Sequence, residues 1–164
     1  MTEPIMSVKG KTNAMRILDS NRIPYESHEF ELKDNFTSGS DLARQQGQDP
    51  DQVFKTLVTE SGSGEHFVCV IPVDATLDLK KAAKVFGEKK LDMMPMKKLL
   101  PLTGYIHGGC SPVGMKKQFP TALDETAQLF DRIYVSGGRP GLQVRLSADD
   151  LCSLISAVYA DLTV

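Results

Sequence analysis

The sequence predicts one mixed domain of the α/β (α+β) class, in which helices surround a mixed or antiparallel β-sheet. A length of 164 residues suits a single core, and 41% hydrophobic with 24% charged residues is ordinary globular usage. Strand-like segments outnumber those of a simple βαβ repeat, and several are separated only by tight turns. These features together favour a sheet that is not purely parallel.

The N-terminal third predicts a short lead-in, a helix, an edge strand and a second helix. Residues 1–9 contain acid and Pro and no apolar signal core, so they predict a flexible lead-in to a domain spanning 10–164. Helical spacing of apolar residues predicts a helix over 12–20, and loose alternation predicts the edge strand over 23–30. The second helix is predicted over 41–46.

The clearest predicted unit is a β-hairpin. Residues 53–59 are rich in β-branched side chains, 61–64 read Ser-Gly-Ser-Gly, and 66–73 form the return strand. An amphipathic helix over 78–86 follows and is stopped by Gly87.

The rest of the chain predicts shorter elements. They are a strand over 90–94, a helical turn over 95–99, a strand over 105–107, a helical or irregular segment over 121–130, a hairpin of strands 132–135 and 142–146, and a last helix capped by Ser147 with an apolar stripe of Leu151, Leu154, Ile155 and Val158.

Charge is distributed unevenly along the chain. Between residues 78 and 117 nine lysines face three acidic residues, so this segment carries +6 while the remainder carries −8. Such asymmetry predicts a side that faces a polyanion, although lysines on a solvated helix would give the same pattern. No apolar run approaches the length of a membrane helix, and three widely spaced cysteines fit a reducing cytoplasm.

Lys55 is the first candidate functional residue, because it interrupts an apolar strand. Alternation puts Lys55 on one face with Val53 and Leu57, and an inward lysine must face a cleft or an anion. The alternative is that Lys55 is exposed while Phe54 and Thr56 point inward.

The second candidate is the glycine-rich loop over 108–114. Its glycines allow backbone N–H groups to approach an oxyanion or a phosphate closely, and Lys116 and Lys117 follow directly. An ordinary Gly/Pro loop is the alternative. The turn 137–141, which Ser136 precedes, reads first as a hairpin connection.

Several classes of site are not predicted. The three histidines stand apart without metal-ligand spacing, and the sequence has neither a phosphate-binding P-loop nor a serine-hydrolase elbow. Cys110 lies in the glycine-rich loop but has no identifiable His partner. We therefore expect neither a metal nor a cofactor.

Four blocks in order resemble the YbaK/EbsC family, relatives of the editing insertion domain of prolyl-tRNA synthetase. They are DQVFKTL at 51–57, LDLKKAAK at 77–84, TGYIHGGCSPVGMKK at 103–117 and IYVSGG at 133–138. The resemblance covers roughly residues 10–162. It implies a mixed, barrel-like sheet surrounded by helices and the hydrolysis of mischarged aminoacyl-tRNA.

The resemblance also implies roles for individual residues. The implied catalytic set is Lys55, Gly108, Gly109 and Ser111. The implied substrate-binding set is Phe30, Phe54, Thr56, Pro112, Gly114, Ser136, Gly137, Gly138 and Gln143. The lysines expected along the tRNA are Lys80, Lys81, Lys84, Lys116 and Lys117.

The implied substrate is Cys-tRNA(Pro), with Cys-tRNA(Cys) as a second candidate. The implied partners are tRNA(Pro) and prolyl-tRNA synthetase, without DNA or membrane. Members that edit cysteine carry Tyr in place of Phe30 and Asp in place of Gln143. These two departures keep open an Ala- or Ser-tRNA deacylase and a binding module without activity.

Overall fold

The computed structural model describes residues 10–30, 43 and 46–164. The predicted lead-in at 1–9 lies outside the described residues, as does most of the predicted helix 41–46.

The described elements comprise four α-helices, eight strands and three short 3₁₀ helices. The helices are α1 (Asn13–Ser20), α2 (Leu79–Phe86), α3 (Leu99–Thr103) and α4 (Ala148–Ile155). The strands are β1 (Tyr25–Glu29), β2 (Phe54–Ser61), β3 (His66–Pro72), β4 (Leu91–Met93), β5 (Thr121–Asp124), β6 (Ile133–Ser136), β7 (Leu142–Leu146) and β8 (Val158–Ala160). The 3₁₀ helices are Pro50–Gln52, Met96–Lys98 and Glu125–Leu129.

The strands form two sheets, which confirms a mixed α+β architecture. One sheet has the antiparallel order β1-β7-β6, and the other has the order β4-β2-β3-β5-β8. In the larger sheet β2 pairs antiparallel with β3 and β4, whereas β5 runs parallel to both β3 and β8. Between the described parts of the two sheets, one parallel bridge joins Val53 to Tyr134. This order does not close into a barrel, so the expected barrel-like arrangement is not confirmed.

The β2–β3 hairpin is covered on both faces. Phe54 and Val58 belong to the main core, which also contains residues of the smaller sheet, α1 and α4. Cys69 and Ile71 point to the opposite face and pack against the alanines of α2. Helix α2 begins where the Asp78 side chain accepts the N–H groups of the first turn, and it ends at Gly87 in the left-handed conformation.

Two predictions of local structure are wrong, and a third is wrong at its start. Residues 105–107 are not a strand, because the Tyr105 N–H bonds to the Thr103 hydroxyl and the chain then turns, with Gly109 N–H donating to the Ile106 carbonyl. The segment 121–130 begins as the buried strand β5 and continues, as predicted, in a helical turn, the 3₁₀ helix Glu125–Leu129. Val158 is 53% exposed and starts β8 instead of extending the stripe of α4.

Within the described residues, no helix is long and apolar enough to cross a bilayer.

Candidate active site

One face of the three-stranded sheet carries a row of polar side chains. Gln143 of β7 lies between His28 of β1 and Ser136 of β6, because both are its register partners. Partners in an antiparallel ladder project to the same face. The opposite face carries Val135 and Val144, which are buried in the main core. The row therefore lies outside the main core.

Lys55 extends this row onto β2. Val53 and Tyr134 are bridged in parallel and pack in one small apolar cluster, so they face the same side. Lys55 and Ser136 each lie two residues further along, and alternation returns them to that side. Residues of β2 and β6 are in contact beyond the bridge. The structure thus aligns Lys55, Ser136, Gln143 and His28 across four neighbouring strands.

Lys55 is half-buried and its ammonium is partly desolvated. Burial lowers the pKa of Lys55, and the negative charge of Asp74 partly offsets this effect. Leu57, on the same face, packs against the second core beneath α2. Phe54 is buried on the other face of β2. The two orientations that the sequence left open for this strand therefore correspond to its two faces, both of which are covered. Thr56 shares the face of Phe54, and its hydroxyl is buried without a hydrogen-bond partner.

The glycine-rich loop is held rigidly by its own hydrogen bonds. The Tyr105 hydroxyl donates to the Val113 carbonyl at 2.5 Å, and the Val113 N–H donates to the Ser111 hydroxyl at 3.1 Å. Ser111 and Pro112 are buried. Within the described chain, the N–H groups of Cys110 and Ser111 have no acceptor. These N–H groups are available to a bound anion.

The loop packs directly against the turn that follows Ser136. A Cβ atom on Gly109 would lie 2.7 Å from Pro140 Cδ and 2.8 Å from Arg139 Cα. A side chain at Gly138 would meet Tyr105 and Thr12 at 3.2–3.3 Å. A side chain at Gly109 would therefore force the two backbone segments apart. The structure therefore brings together the predicted loop and the predicted pocket wall.

Gln143 and Phe30 complete the described part of the row. Gln143 is 7% exposed, and its Oε1 accepts a 2.7 Å hydrogen bond from Gln48 Nε2. The Phe30 ring stacks on His28 at 6.5 Å, and the Phe30 N–H donates to the Gly141 carbonyl. Sequence reasoning missed Gln48 and His28. Neither belongs to a motif, and only the pairing of distant strands shows where they lie.

Known proteins are similar to this chain in sequence and in structure. A family model of the aminoacyl-tRNA editing domain matches residues 34–154. The chain belongs to this family. The predicted resemblance is therefore confirmed.

This editing domain is similar to one curated relative over nearly its whole length. The relative, from Enterococcus faecalis, is named "Putative Cys-tRNA(Pro)/Cys-tRNA(Cys) deacylase EbsC". The two are 44% identical over 153 residues, which is 93% of each chain.

Two solved structures are similar to the editing domain over more than nine-tenths of its length. One, described as "a putative trans-editing enzyme for prolyl tRNA synthetase", has 25% identity and a TM-score of 0.77, and the match covers 94% of this chain and 99% of that one. Hypothetical protein APE2540 has 21% identity and a TM-score of 0.83, with 92% and 98% covered, and shows the fold alone.

The lysines of the editing domain differ in whether their ammonium groups already contact other groups of the protein. Lys80 and Lys84 are exposed on α2, which covers the side of β2–β3 that carries Lys55. Lys81 is instead held by Asp161 and the Thr163 carbonyl, and the bond to Asp161 raises its pKa. Lys116 Nζ donates to the Pro101 carbonyl, and Lys117 Nζ lies 5.8 Å from the centre of the Phe119 ring.

The cysteines of the editing domain are unsuited to nucleophilic attack. Cys69, Cys110 and Cys152 are free thiols and all three are buried. Burial raises the pKa of Cys69 and of Cys110 to about 12, so Cys110 is a thiol and not a thiolate at neutral pH. No group of His, Cys, Asp and Glu within the described ranges is arranged to hold a metal ion.

Proposed function

We propose that this protein hydrolyses the ester bond of mischarged aminoacyl-tRNA in trans, with Cys-tRNA(Pro) as principal substrate and Cys-tRNA(Cys) as a second one. The family match and the name of the relative at 44% identity support this proposal. Access to charged tRNA implies that the protein works in the cytoplasm.

The observation that carries the proposal is the contact between the 108–114 loop and the turn after Ser136. The contact sets Gly109, which directly precedes Cys110 and Ser111, against Arg139 and Pro140 of the turn that follows Ser136. An aminoacyl ester is already activated, so the site needs to stabilise the developing oxyanion more than it needs a full catalytic triad. One such donor is typically worth about 10²- to 10³-fold in rate.

Lys55 is the cation of the proposed site. Its ammonium contacts either the ester carbonyl oxygen, on which negative charge develops during attack, or the anionic phosphate of the terminal adenosine. In a partly desolvated position, a charge acts more strongly than it does in bulk water. Gly108 and Pro112 shape the loop around the same carbonyl.

The attacking group is proposed to come from the substrate. Attack by the cysteine thiol on its own ester forms a cyclic thioester and releases the tRNA 3′-hydroxyl, which takes up the thiol proton. Water attack is the competing route and releases free cysteine directly. Trapping of a thiolactone during turnover of Cys-tRNA(Pro) supports thiol attack, and its absence under trapping conditions supports water.

The small residues after β6 form the proposed wall of the amino-acid pocket. A side chain at Gly137 would lie 2.7 Å from the side chain of Leu142, so the wall cannot grow without moving the hairpin. Together with Ser136 and Gly138, this wall suits a short side chain and excludes long ones by size.

The tRNA acceptor stem is proposed to lie along α2. Lys80 and Lys84 are the free cations there, whereas Lys81 must first leave Asp161. Lys116 and Lys117 extend the basic surface next to the glycine-rich loop. Prolyl-tRNA synthetase is the proposed protein partner, since it supplies the mischarged tRNA.

A deacylation assay over a panel of charged tRNAs tests the function. We expect fastest release from Cys-tRNA(Pro), measured with and without prolyl-tRNA synthetase. Faster release from Ala-tRNA or Ser-tRNA would assign those as the substrates instead. Tight tRNA binding without turnover of any ester would show a binding module and reject the enzyme.

A further inference from the structure

A buried polar atom without a partner lies beside the row described above. Four side-chain atoms of the described residues are buried without a hydrogen bond. Two of them, His28 Nε2 and Arg145 Nε, belong to groups that lie 3.5 Å and 3.7 Å from the Glu26 carboxylate, whereas Gln48 Oε1 has no partner. His28 is a register partner of Gln143, and Arg145 lies two residues after Gln143 on the same face. Leaving such a group unpaired is unfavourable for folding. The unpaired Gln48 Oε1 beside Gln143 indicates that a ligand completes the hydrogen bonding there.

Gln48 is the most informative of these residues. Its Nε2 donates to Gln143 Oε1 at 2.7 Å, and this leaves its own Oε1 buried with nothing to accept from. The backbone of Gln48 is anchored by a 2.8 Å bond from its N–H to the Ala43 carbonyl. Because the two polar atoms of one carboxamide are rigidly linked, Gln48 Oε1 is held close to Gln143. The proposed site therefore has a fixed acceptor at this position.

We propose that Gln48, oriented by Gln143, determines which aminoacyl group this site accepts. Its Oε1 accepts a hydrogen bond from the thiol or hydroxyl of the aminoacyl side chain. The proposal rests on the deacylase function proposed above and deepens it. It predicts that the site prefers esters of cysteine and serine, whose short side chains donate a hydrogen bond. It predicts that esters of alanine are poor substrates.

The physical reason is the cost of an unpaired acceptor. When alanine occupies the pocket, Gln48 Oε1 stays buried and unpaired, whereas a thiol or hydroxyl satisfies it. Sites built to hydrogen-bond a substrate group discriminate against analogues that lack it far better than apolar pockets do. Size alone separates cysteine from alanine poorly, because the smaller side chain always fits.

Replacement of Gln48 by methionine tests the proposal, since methionine is of similar length and lacks the amide. In the wild type, kcat/KM for Cys-tRNA and Ser-tRNA exceeds that for Ala-tRNA. We expect Gln48→Met to lower this preference about tenfold. The variant should slow deacylation of Cys-tRNA and Ser-tRNA and leave that of Ala-tRNA unchanged. Gln143→Met removes the partner that orients Gln48 and is expected to act in the same direction.

Gln52→Met is the matched control, because Gln52 also donates an amide hydrogen bond, to the Arg132 carbonyl at 2.8 Å, but lies outside the row. It should leave the preference unchanged. Equal loss on all three substrates in Gln48→Met, or no loss on any, would overturn the proposal.

A binding measurement separates failure of this inference from failure of the deacylase function. Non-hydrolysable amide-linked adenosine analogues that carry cysteine, serine or alanine are titrated calorimetrically. Selective weakening of the first two by Gln48→Met supports the inference even if no turnover is seen. Equal affinities for all three in the wild type reject it, whether or not the protein is a deacylase.

Discussion

At the scale of single residues, the proposed chemistry depends on one partly desolvated cation and on glycines whose missing side chains let two loops touch. Burial lowers the pKa of Lys55, and no ion pair within the described residues compensates for it fully. Gly109 allows the 108–114 loop to rest on the backbone of Arg139. The desolvated ammonium is unfavourable for folding alone, which is typical of functional positions.

Replacing Lys55 with methionine should separate activity from stability. Methionine keeps the length of the side chain and removes the ammonium, so we expect deacylation of Cys-tRNA(Pro) to fall by about 10²-fold or more. The free energy of unfolding should stay equal or rise, because a charge no longer has to be desolvated. Single-turnover kinetics and urea denaturation measure the two effects. Unchanged kinetics would remove Lys55 from the mechanism.

Gly109→Ala should disturb the loop contact. The new methyl group would lie 2.7–2.8 Å from atoms of Arg139 and Pro140, including backbone, so we expect a loss of about 1–3 kcal/mol in unfolding free energy together with lower activity. Gly62→Ala is the matched control, because no atom lies within 4 Å of its new Cβ. Chemical denaturation of the two variants should therefore give clearly different midpoints.

The lowered pKa of Lys55 makes activity sensitive to alkaline pH. The ammonium loses its proton at a lower pH than an ordinary lysine does. The rate, corrected for spontaneous ester hydrolysis, should therefore decline in that lower pH range. Asp74 raises the pKa of Lys55, so Asp74→Asn should move this decline to lower pH. Asp131→Asn, at an exposed site, should leave the pH profile unmoved. A profile that does not respond to Asp74→Asn would argue against an essential ammonium.

At the scale of elements, the sequence pattern predicted the structures that neighbouring residues form. It missed the structures that depend on pairing between distant segments. The β2–β3 hairpin and helix α2 follow from β-branched residues, a Ser-Gly turn and the Asp78 cap, all readable within about ten residues. Strands β5 and β8 depend on parallel pairing with distant segments. For the site, the sequence indicated the loop and Lys55, but Gln48 joins Gln143 across 95 residues of chain.

Asp124 shows how such a distant element is fixed. Its carboxylate is 1% exposed and accepts the Leu162 N–H at 3.0 Å together with the N–H and hydroxyl of Thr126. We expect Asp124→Asn to lower the unfolding free energy by about 1–3 kcal/mol, since a neutral amide replaces a charged acceptor of three bonds. Glu125→Gln, exposed in the same turn, should change it by less than about 0.5 kcal/mol. Thermal or urea unfolding of both variants checks the difference.

At the scale of the whole molecule, the two sheets meet at β2 and β6, and the basic helix α2 covers the same side as Lys55. This arrangement would let one tRNA end lie across α2 and reach the row of polar side chains. The net charge of −2 hides this asymmetry, which becomes visible only when the lysine-rich segment is placed on the fold.

Contact between α2 and phosphates should make tRNA affinity fall steeply with salt. Each phosphate contact contributes roughly one unit to the slope of log affinity against log salt. We therefore expect Lys80→Ala and Lys84→Ala each to reduce the slope by about one, whereas Arg16→Ala on α1 should not. Fluorescence anisotropy over a series of salt concentrations measures this. A salt-independent affinity would remove α2 from the tRNA surface.

The burial of all three cysteines has a practical consequence for measuring turnover. Hydrolysis of a cysteinyl ester would release a small exposed thiol, while the thiols of the protein are shielded and, at Cys69 and Cys110, titrate only near pH 12. A chromogenic disulfide reagent at neutral pH would therefore detect the product against little background from the catalyst. The same shielding prevents mixed disulfides from trapping the amino acid on the protein.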